Sequence, residues 1–378
     1  MELPSKTARC KSCGLQTTMP PGTYLTWCPM CRAMIRAEDP LSHTHDAFSR
    51  AASKFKDVMH AASNDISMMA SSMNTTFLRS GMSGFSQPPQ IRSLQPIASA
   101  TAGGRKRAVL CGVSYNGQKY KLNGSINDVK CMKYFLINRL GFANDSILML
   151  TEEEADPNLI PTKSNMRKAL QWLVHGCHSG DSLVFHYSGH ASQQLDYDRD
   201  EVDGYDEALW PVDHHFTGTI VDDEINETIV RSLPPGVKLH AIVDACHSGT
   251  ILDLQYVCRM NRDGRYEWEN QGCLGTYKGT NGGLAVSFSA CDDDQIAVDT
   301  TVLSADNAAT GAMTYSFIQA VQNEPGLTYG RLLNAMRQTI REARTGCPLK
   351  KVLHQKSLQE PQLSSSKEFD IHSTPFTL

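Results

Sequence analysis

Two apolar runs of the chain stop on residues that can do covalent chemistry. Residues 182–191, SLVFHYSGHA, deliver His190, and residues 240–249, HAIVDACHSG, deliver Cys246; Gly189 and Gly249 lie beside them. A cysteine attacks as its thiolate, so it needs a neighbour that takes its proton or holds its charge, and imidazole titrates in the right range. The predicted chemistry is nucleophilic attack by Cys246 with His190 as base. The backbone N–H groups of Gly189 and Cys246 are the expected holders of the oxyanion. No third side chain presents itself, and a dyad is expected. Three other histidines compete less well: His186 lies inside a strand, His247 adjoins the thiol with its ring directed away, and His240 starts an apolar run and fills space.

The elements that must carry these residues alternate between short β-rich runs and helical patterns. RAVLCGVSY, NDVKCMKYFLINRLG, SILMLTE, SNMRKALQWLVHGC, SLVFHYSG, DEINETIVRSL and KLHAIVDAC follow in order. That alternation predicts an α/β domain, a mostly parallel sheet with helices on both faces. In such sheets ligand chemistry gathers beyond the carboxyl ends of the strands, where both quoted runs finish. A less regular stretch over 254–281 follows, then the strand LAVSFSAC, two helical segments around GAMTYSFIQAVQ and TYGRLLNAMRQTIREA, and a last strand near PQLSSSKEFDI. The irregular stretch is expected to be exposed.

Upstream, residues 1–40 form a compact cysteine-containing block. Residues 41–104 are rich in Ser, Met and Pro and read as a linker or prodomain, with one helix-spaced series at Phe48, Ala52, Phe55, Met59 and Ala62. Residues 105–378 are the catalytic domain. Cys10, Cys13, Cys28 and Cys31 give C-x2-C-x14-C-x2-C, the spacing of a structural zinc site. The metal would supply folding free energy that forty residues cannot bury for themselves. Few basic residues lie between the cysteine pairs, so a regulatory protein is the expected partner of the finger rather than nucleic acid. Residues 1–100 hold ten Lys/Arg against six Asp/Glu, leaving 26 against 34 for the rest, too mild a basic excess for a nucleic-acid footprint. No run approaches membrane-spanning length, and the twelve cysteines do not form a disulfide framework, so a cytoplasmic or nuclear location is expected.

Acids crowd 196–213. Asp196, Asp198, Asp200 and Glu207 fall at the first, third, fifth and twelfth places of an EF-hand loop, but Glu201 stands where the sharp turn needs glycine and a strand precedes the loop. An EF-hand is rejected.

The 56-residue separation of His190 from Cys246 matches a caspase-like spacing, although the local caspase signature is absent. HYSGHA, DACHSGT, SFSACDDDQIA and GAMTYSFIQA together resemble a plant type I metacaspase from Arg107 onward. The N-terminal block resembles the lesion-simulating-disease zinc finger of that class. A short link between the two catalytic subregions distinguishes it from type II forms. The resemblance implies a caspase-like fold and a cysteine endopeptidase cutting protein or peptide substrates after Arg or Lys. Asp128, Ser188 and Asp244 match its acidic substrate pocket, and a guanidinium would satisfy such carboxylates where an aspartate would be repelled. It further implies calcium activation through Asp206, Asp222, Asp223 and Asp253. Self-processing is then expected at Arg259, Arg262, Arg265 or Lys278 in the irregular stretch. The rival reading from another class is a zinc-finger scaffold with an inactive protease-like domain.

Overall fold

The computed structural model describes residues 104–197, 199–246, 248–260, 265–272, 277–290, 310–323, 326–342 and 360–378, with the backbone of 6–9, 16–19, 25–27, 34–36, 299–300 and 343–345. The chain separates into two compact units, Met1–Lys54 and Phe55–Leu378. In the first, β1 (Lys6–Arg9) pairs antiparallel with β2 (Gln16–Met19), and β3 (Leu25–Trp27) with β4 (Met34–Arg36). In sequence, Cys10 and Cys13 fall between β1 and β2, and Cys28 and Cys31 between β3 and β4. All four cysteines and the helix-spaced series at Phe48 to Ala62 lie outside the described residues.

The second unit is organised by β5 (Lys106–Gly112), β6 (Ile147–Thr151), β7 (Ser182–Ser188) and β11 (Lys238–Asp244), parallel to one another and to β14 (Leu284–Ser289). β17 (Gln362–Ser365) continues the sheet antiparallel, followed by β12 (Tyr256–Met260) and, at the edge, β13 (Tyr266–Asn270). The inner strands are near-continuous apolar runs because both faces are covered. On one face lie α1 (Ser125–Leu140) and α5 (Ala312–Asn323), whose Phe135 and Phe317 meet edge to face at 6.3 Å. On the other lies α2 (Lys163–Val174), whose Met166, Ala169, Leu170 and Leu173 join Val109, Phe185 and Leu239 in the main core. α6 (Tyr329–Thr345) packs on α5.

β8 (Ala191–Leu195), β9 (Tyr205–Leu209) and β10 (Ile220–Val221) form a small antiparallel sheet that leaves the end of β7 directly. The short helices α3 (His214–Thr217) and α4 (Asp222–Ile225) flank β10, and α4 runs on into a π-turn over Asn226–Val230. The expected irregular stretch is corrected here. Its first half is the β12–β13 hairpin, with alternating pairing that the intervening Asn261, Asp263 and Gly264 conceal in the sequence.

Candidate active site

The sheet brings the two reactive residues to one place by register. Asp244 on β11 is paired with Ser188 on β7, so His190 and Cys246 each emerge two residues beyond the same rung of adjacent parallel strands. Neighbouring strands run about 4.8 Å apart. Cys246 is half-buried. The N–H of Gly189 donates to the Asp244 carbonyl at 3.3 Å, extending the ladder by one step. That hydrogen bond corrects the expectation that Gly189 serves the oxyanion. Its lack of a side chain matters instead, since a Cβ there would sit 2.5 Å from the Tyr187 hydroxyl.

That hydroxyl is one of several groups fixing His190. Tyr187 Oη donates to the His190 carbonyl at 2.7 Å, and the Trp210 N–H donates to the same carbonyl at 3.1 Å. The His190 N–H donates to Tyr115 Oη at 3.0 Å, and the rings of Tyr115 and His190 lie 4.8 Å apart. The imidazole Nε2 lies 2.8 Å from the Tyr120 carbonyl oxygen. A carbonyl only accepts, so Nε2 carries the proton and Nδ1 is the basic nitrogen. A backbone oxygen thus fills the orienting role for which no third side chain was visible. His186 and His240 are excluded from the chemistry: both are buried, with Nε2 3.0 Å from Thr314 Oγ1 and 2.7 Å from Tyr329 Oη, and burial drives both imidazoles down to about 3. His247 lies outside the described residues.

Behind the strand tips two buried carboxylates converge. Asp128, in the first turn of α1, accepts from Ser188 Oγ at 2.8 Å, from Thr310 Oγ1 at 2.6 Å and from the Gly311 N–H at 3.0 Å. Asp244 accepts from the Thr314 N–H at 2.8 Å. A Cβ on Gly311 would collide with carboxylate oxygens of both aspartates, which requires glycine at that point and shows how closely they approach. Burial, and then the neighbouring Asp244 charge, push the Asp128 carboxyl well above its ordinary range. Among the described residues no Lys or Arg pairs with Asp128, and its partners named above are neutral.

A second acidic group forms where the small sheet meets α4 and the loop after Cys246. Carboxylate oxygens of Asp206, Asp222 and Asp223 come within 4.8 Å of one another; so do those of Asp200, Asp223 and Asp253, and those of Asp196, Asp200 and Asp206. Asp223 joins the four predicted aspartates into one cluster. Asp196 and Asp200, set aside with the EF-hand, belong to it as well, while Asp198 lies outside the described residues. The donors are hard oxygens suited to Ca2+. Among the described residues the buried Asp200 Oδ1 has no hydrogen-bond partner, as a ligand atom awaiting a cation would have none. Burial raises the carboxyls of Asp206 and Asp222, raises Asp223 to about 6 with Asp200 adding to it, and raises Glu201 to about 9. The cluster is tied to the loop after Cys246: Thr250 Oγ1 donates to Glu207, and Asn226 Nδ2 donates to the carbonyls of Leu252 at 3.0 Å and Asp253 at 2.6 Å.

The chain's own cation also enters this cluster. Lys278 is fully buried, with Nζ 2.5 Å from Asp253 Oδ1, 2.8 Å from Glu201 Oε1 and 3.4 Å from Asp200 Oδ2. Burial alone would favour the neutral amine, but Asp253 and Glu201 outweigh it and the net shift is upward. Lys278 is therefore a buried counter-ion, which corrects the expectation that it is an exposed cleavage point. Arg259 pairs with Glu269 across the edge hairpin at 2.6 Å, Arg265 is exposed, and Arg262 lies outside the described residues.

A cysteine and a histidine at adjacent tips of a parallel α/β sheet, beside two buried carboxylates, define a caspase-like cysteine endopeptidase. Residues 106–255 match the family model described as "Metacaspase, peptidase C14 domain". Three relatives from Arabidopsis thaliana are similar over most of their length: metacaspase-1 at 57% identity over 73% of this chain and 79% of its own, metacaspase-3 at 54% over 76% and 79%, and metacaspase-2 at 52% over 73% and 73%. The chain belongs to the plant type I metacaspases. Among the described residues no helix is long and apolar enough to cross a membrane.

Proposed function

We propose that this metacaspase cleaves polypeptides after Arg or Lys, with Cys246 as nucleophile and His190 as base. Asp128, Asp244 and Ser188 hold the basic side chain. The observation that carries the reading is the pair of buried carboxylates closing on Gly311, with Asp128 supported by neutral donors. A guanidinium or ammonium entering there relieves the mutual repulsion and gains charge-assisted hydrogen bonds, whereas an aspartate would add a third negative charge. His190 Nδ1 takes the Cys246 proton and the thiolate attacks the scissile carbonyl. The oxyanion forms against the Cys246 N–H. His190 then protonates the departing amine and activates the water that releases the acyl group.

Asp206, Asp222, Asp223 and Asp253, with Asp196 and Asp200, would hold Ca2+. An ion there supplies positive charge that relieves the cluster's repulsion, while Thr250 and Asn226 connect that cluster to the loop bearing Cys246. Self-processing is proposed within the β12–β13 hairpin, at Arg259, Arg262 or Arg265. The cysteines Cys10, Cys13, Cys28 and Cys31 would bind one structural Zn2+, in a finger that contacts a regulatory protein. Metal analysis should find one zinc per chain, absent from a C10S/C28S variant.

The deciding experiment gives the purified chain matched reporter peptides ending in Arg, Lys or Asp, with and without Ca2+, beside Cys246→Ala. Cleavage of the Arg and Lys peptides, stimulated by Ca2+ and absent from the variant, is the expected result. Cleavage of the Asp peptide alone overturns the pocket, and a Cys246→Ala protein as active as the parent overturns the nucleophile.

A further inference from the structure

The loop between β5 and α1 carries an unexplained strain. Tyr115 is buried and sits at φ 54°, a left-handed conformation that a bulky residue rarely adopts. The carboxylate of Glu152, the residue just after β6, holds it there by accepting three successive backbone N–H groups. Ser114 and Tyr115 donate to Oε2, Tyr115 at 2.8 Å, and Asn116 donates to Oε1 at 2.9 Å. The loop then closes on itself, with the Gln118 N–H on the Tyr115 carbonyl at 3.0 Å and the Leu122 N–H on the Ser114 carbonyl at 2.9 Å.

Both ends of this loop reach His190. Tyr115 Oη accepts the His190 N–H and donates to the Trp210 carbonyl at 2.8 Å, while the Tyr120 carbonyl accepts from the imidazole. We propose that Glu152 and Tyr115 are positioning residues: the Glu152 carboxylate pins a strained turn that sets the Tyr115 hydroxyl under the His190 backbone and the Tyr120 carbonyl against its ring. Strain of this kind persists only where surrounding contacts over-determine it, and a charged acceptor for three N–H groups is such a contact. The inference rests on the reading of His190 and Cys246 as the reacting pair.

The test compares Tyr115→Phe, Glu152→Gln and Glu152→Ala with the parent chain. Tyr115→Phe deletes only a hydroxyl, and among the described residues Tyr115, Tyr120 and His214 are the titratable groups that face the His190 ring. Kinetics on an Arg peptide, thermal unfolding, and the pH midpoint for alkylation of Cys246 by iodoacetamide, read by peptide mass spectrometry, are measured for each. Tyr115→Phe should lower kcat by roughly tenfold with KM within about twofold, as expected for a misplaced base. Its alkylation midpoint should rise toward the free-thiol value of about 8.5. Glu152→Ala should move both readouts the same way, and Glu152→Gln, which keeps one acceptor oxygen, should recover part of the loss. An unmoved alkylation midpoint in Tyr115→Phe and Glu152→Ala overturns the proposal, whether kcat is unchanged or falls only in step with thermal stability. Alkylation needs no substrate, so a parent chain that cleaves nothing would count against the peptidase reading while the midpoint still decides this one.

Discussion

The catalytic unit buries two groups of acids, and they are compensated differently. Asp128 and Asp244 converge behind the strand tips, where hydroxyls and backbone N–H groups solvate Asp128. The cluster of Asp196, Asp200, Asp206, Asp222, Asp223 and Asp253 instead has an ammonium of the chain's own, Lys278, fixed at one corner. Neutral donors lower the cost of an anion without cancelling its charge, and the proposed pocket rests on the charge that remains. A built-in cation cancels part of the charge permanently, so the second site is held together by the chain itself, and the proposed ion would take oxygens such as Asp200 Oδ1 that Lys278 leaves uncompensated.

The sharpest way to break this contrast is Lys278→Met. Removing one partner from a buried ion pair leaves uncompensated charge, with a typical cost of about 3–5 kcal/mol. Thermal unfolding of the metal-free variant should fall accordingly and recover when Ca2+ is added; an unchanged metal-free midpoint would mean that Lys278 compensates nothing. Next in size, Asp128→Asn should lower kcat/KM on an Arg peptide by roughly 10- to 100-fold, the loss of a charge-assisted hydrogen bond, while leaving the Ca2+ midpoint in place. A variant in which both shift equally would show that the two acid sites are not separate.

Titration distinguishes the sites more gently. A carboxyl whose folded pKa is raised contributes stability that is fully present below its unfolded value and lost as pH rises through its folded one. For Asp223 that window runs from 3.8 to about 6. Metal-free protein should therefore lose thermal stability from pH 4 upward, by about 2–4 °C for each kcal/mol lost. The stabilisation by Ca2+ should be larger at pH 8 than at pH 5, and a gain that is flat with pH would contradict the cluster. Smallest of all, Ser188→Ala removes one of the neutral donors to Asp128 and should cost about threefold to tenfold in kcat/KM, within the usual worth of a single hydrogen bond.

The parallel strands were legible because β5, β7 and β11 are apolar runs ending near glycine, and the two reactive residues stand at their ends. ASQQL and YDEAL, the strands β8 and β9, carry mixed polarity, β8 half-exposed and β9 burying Asp206 and Glu207 beside its apolar residues, and they give no comparable signal. Asp128 is singled out in the sequence only through the family resemblance, whereas the Tyr120 carbonyl is a backbone atom and leaves no mark on the sequence. Lys278 was misplaced for a physical reason. A lysine in a Thr/Gly-rich stretch reads as exposed, and only the tertiary fold brings it to Glu201, 77 residues earlier in the chain.

The most direct measurement compares kcat/KM on two peptides that differ only in having Arg or citrulline at the cleaved position, equal in shape but not in charge. A substrate pocket built on the buried carboxylates of Asp128 and Asp244 predicts a preference for Arg of roughly 100-fold or more. Equal cleavage of both peptides would contradict the assignment of Asp128 and Asp244 as the pocket.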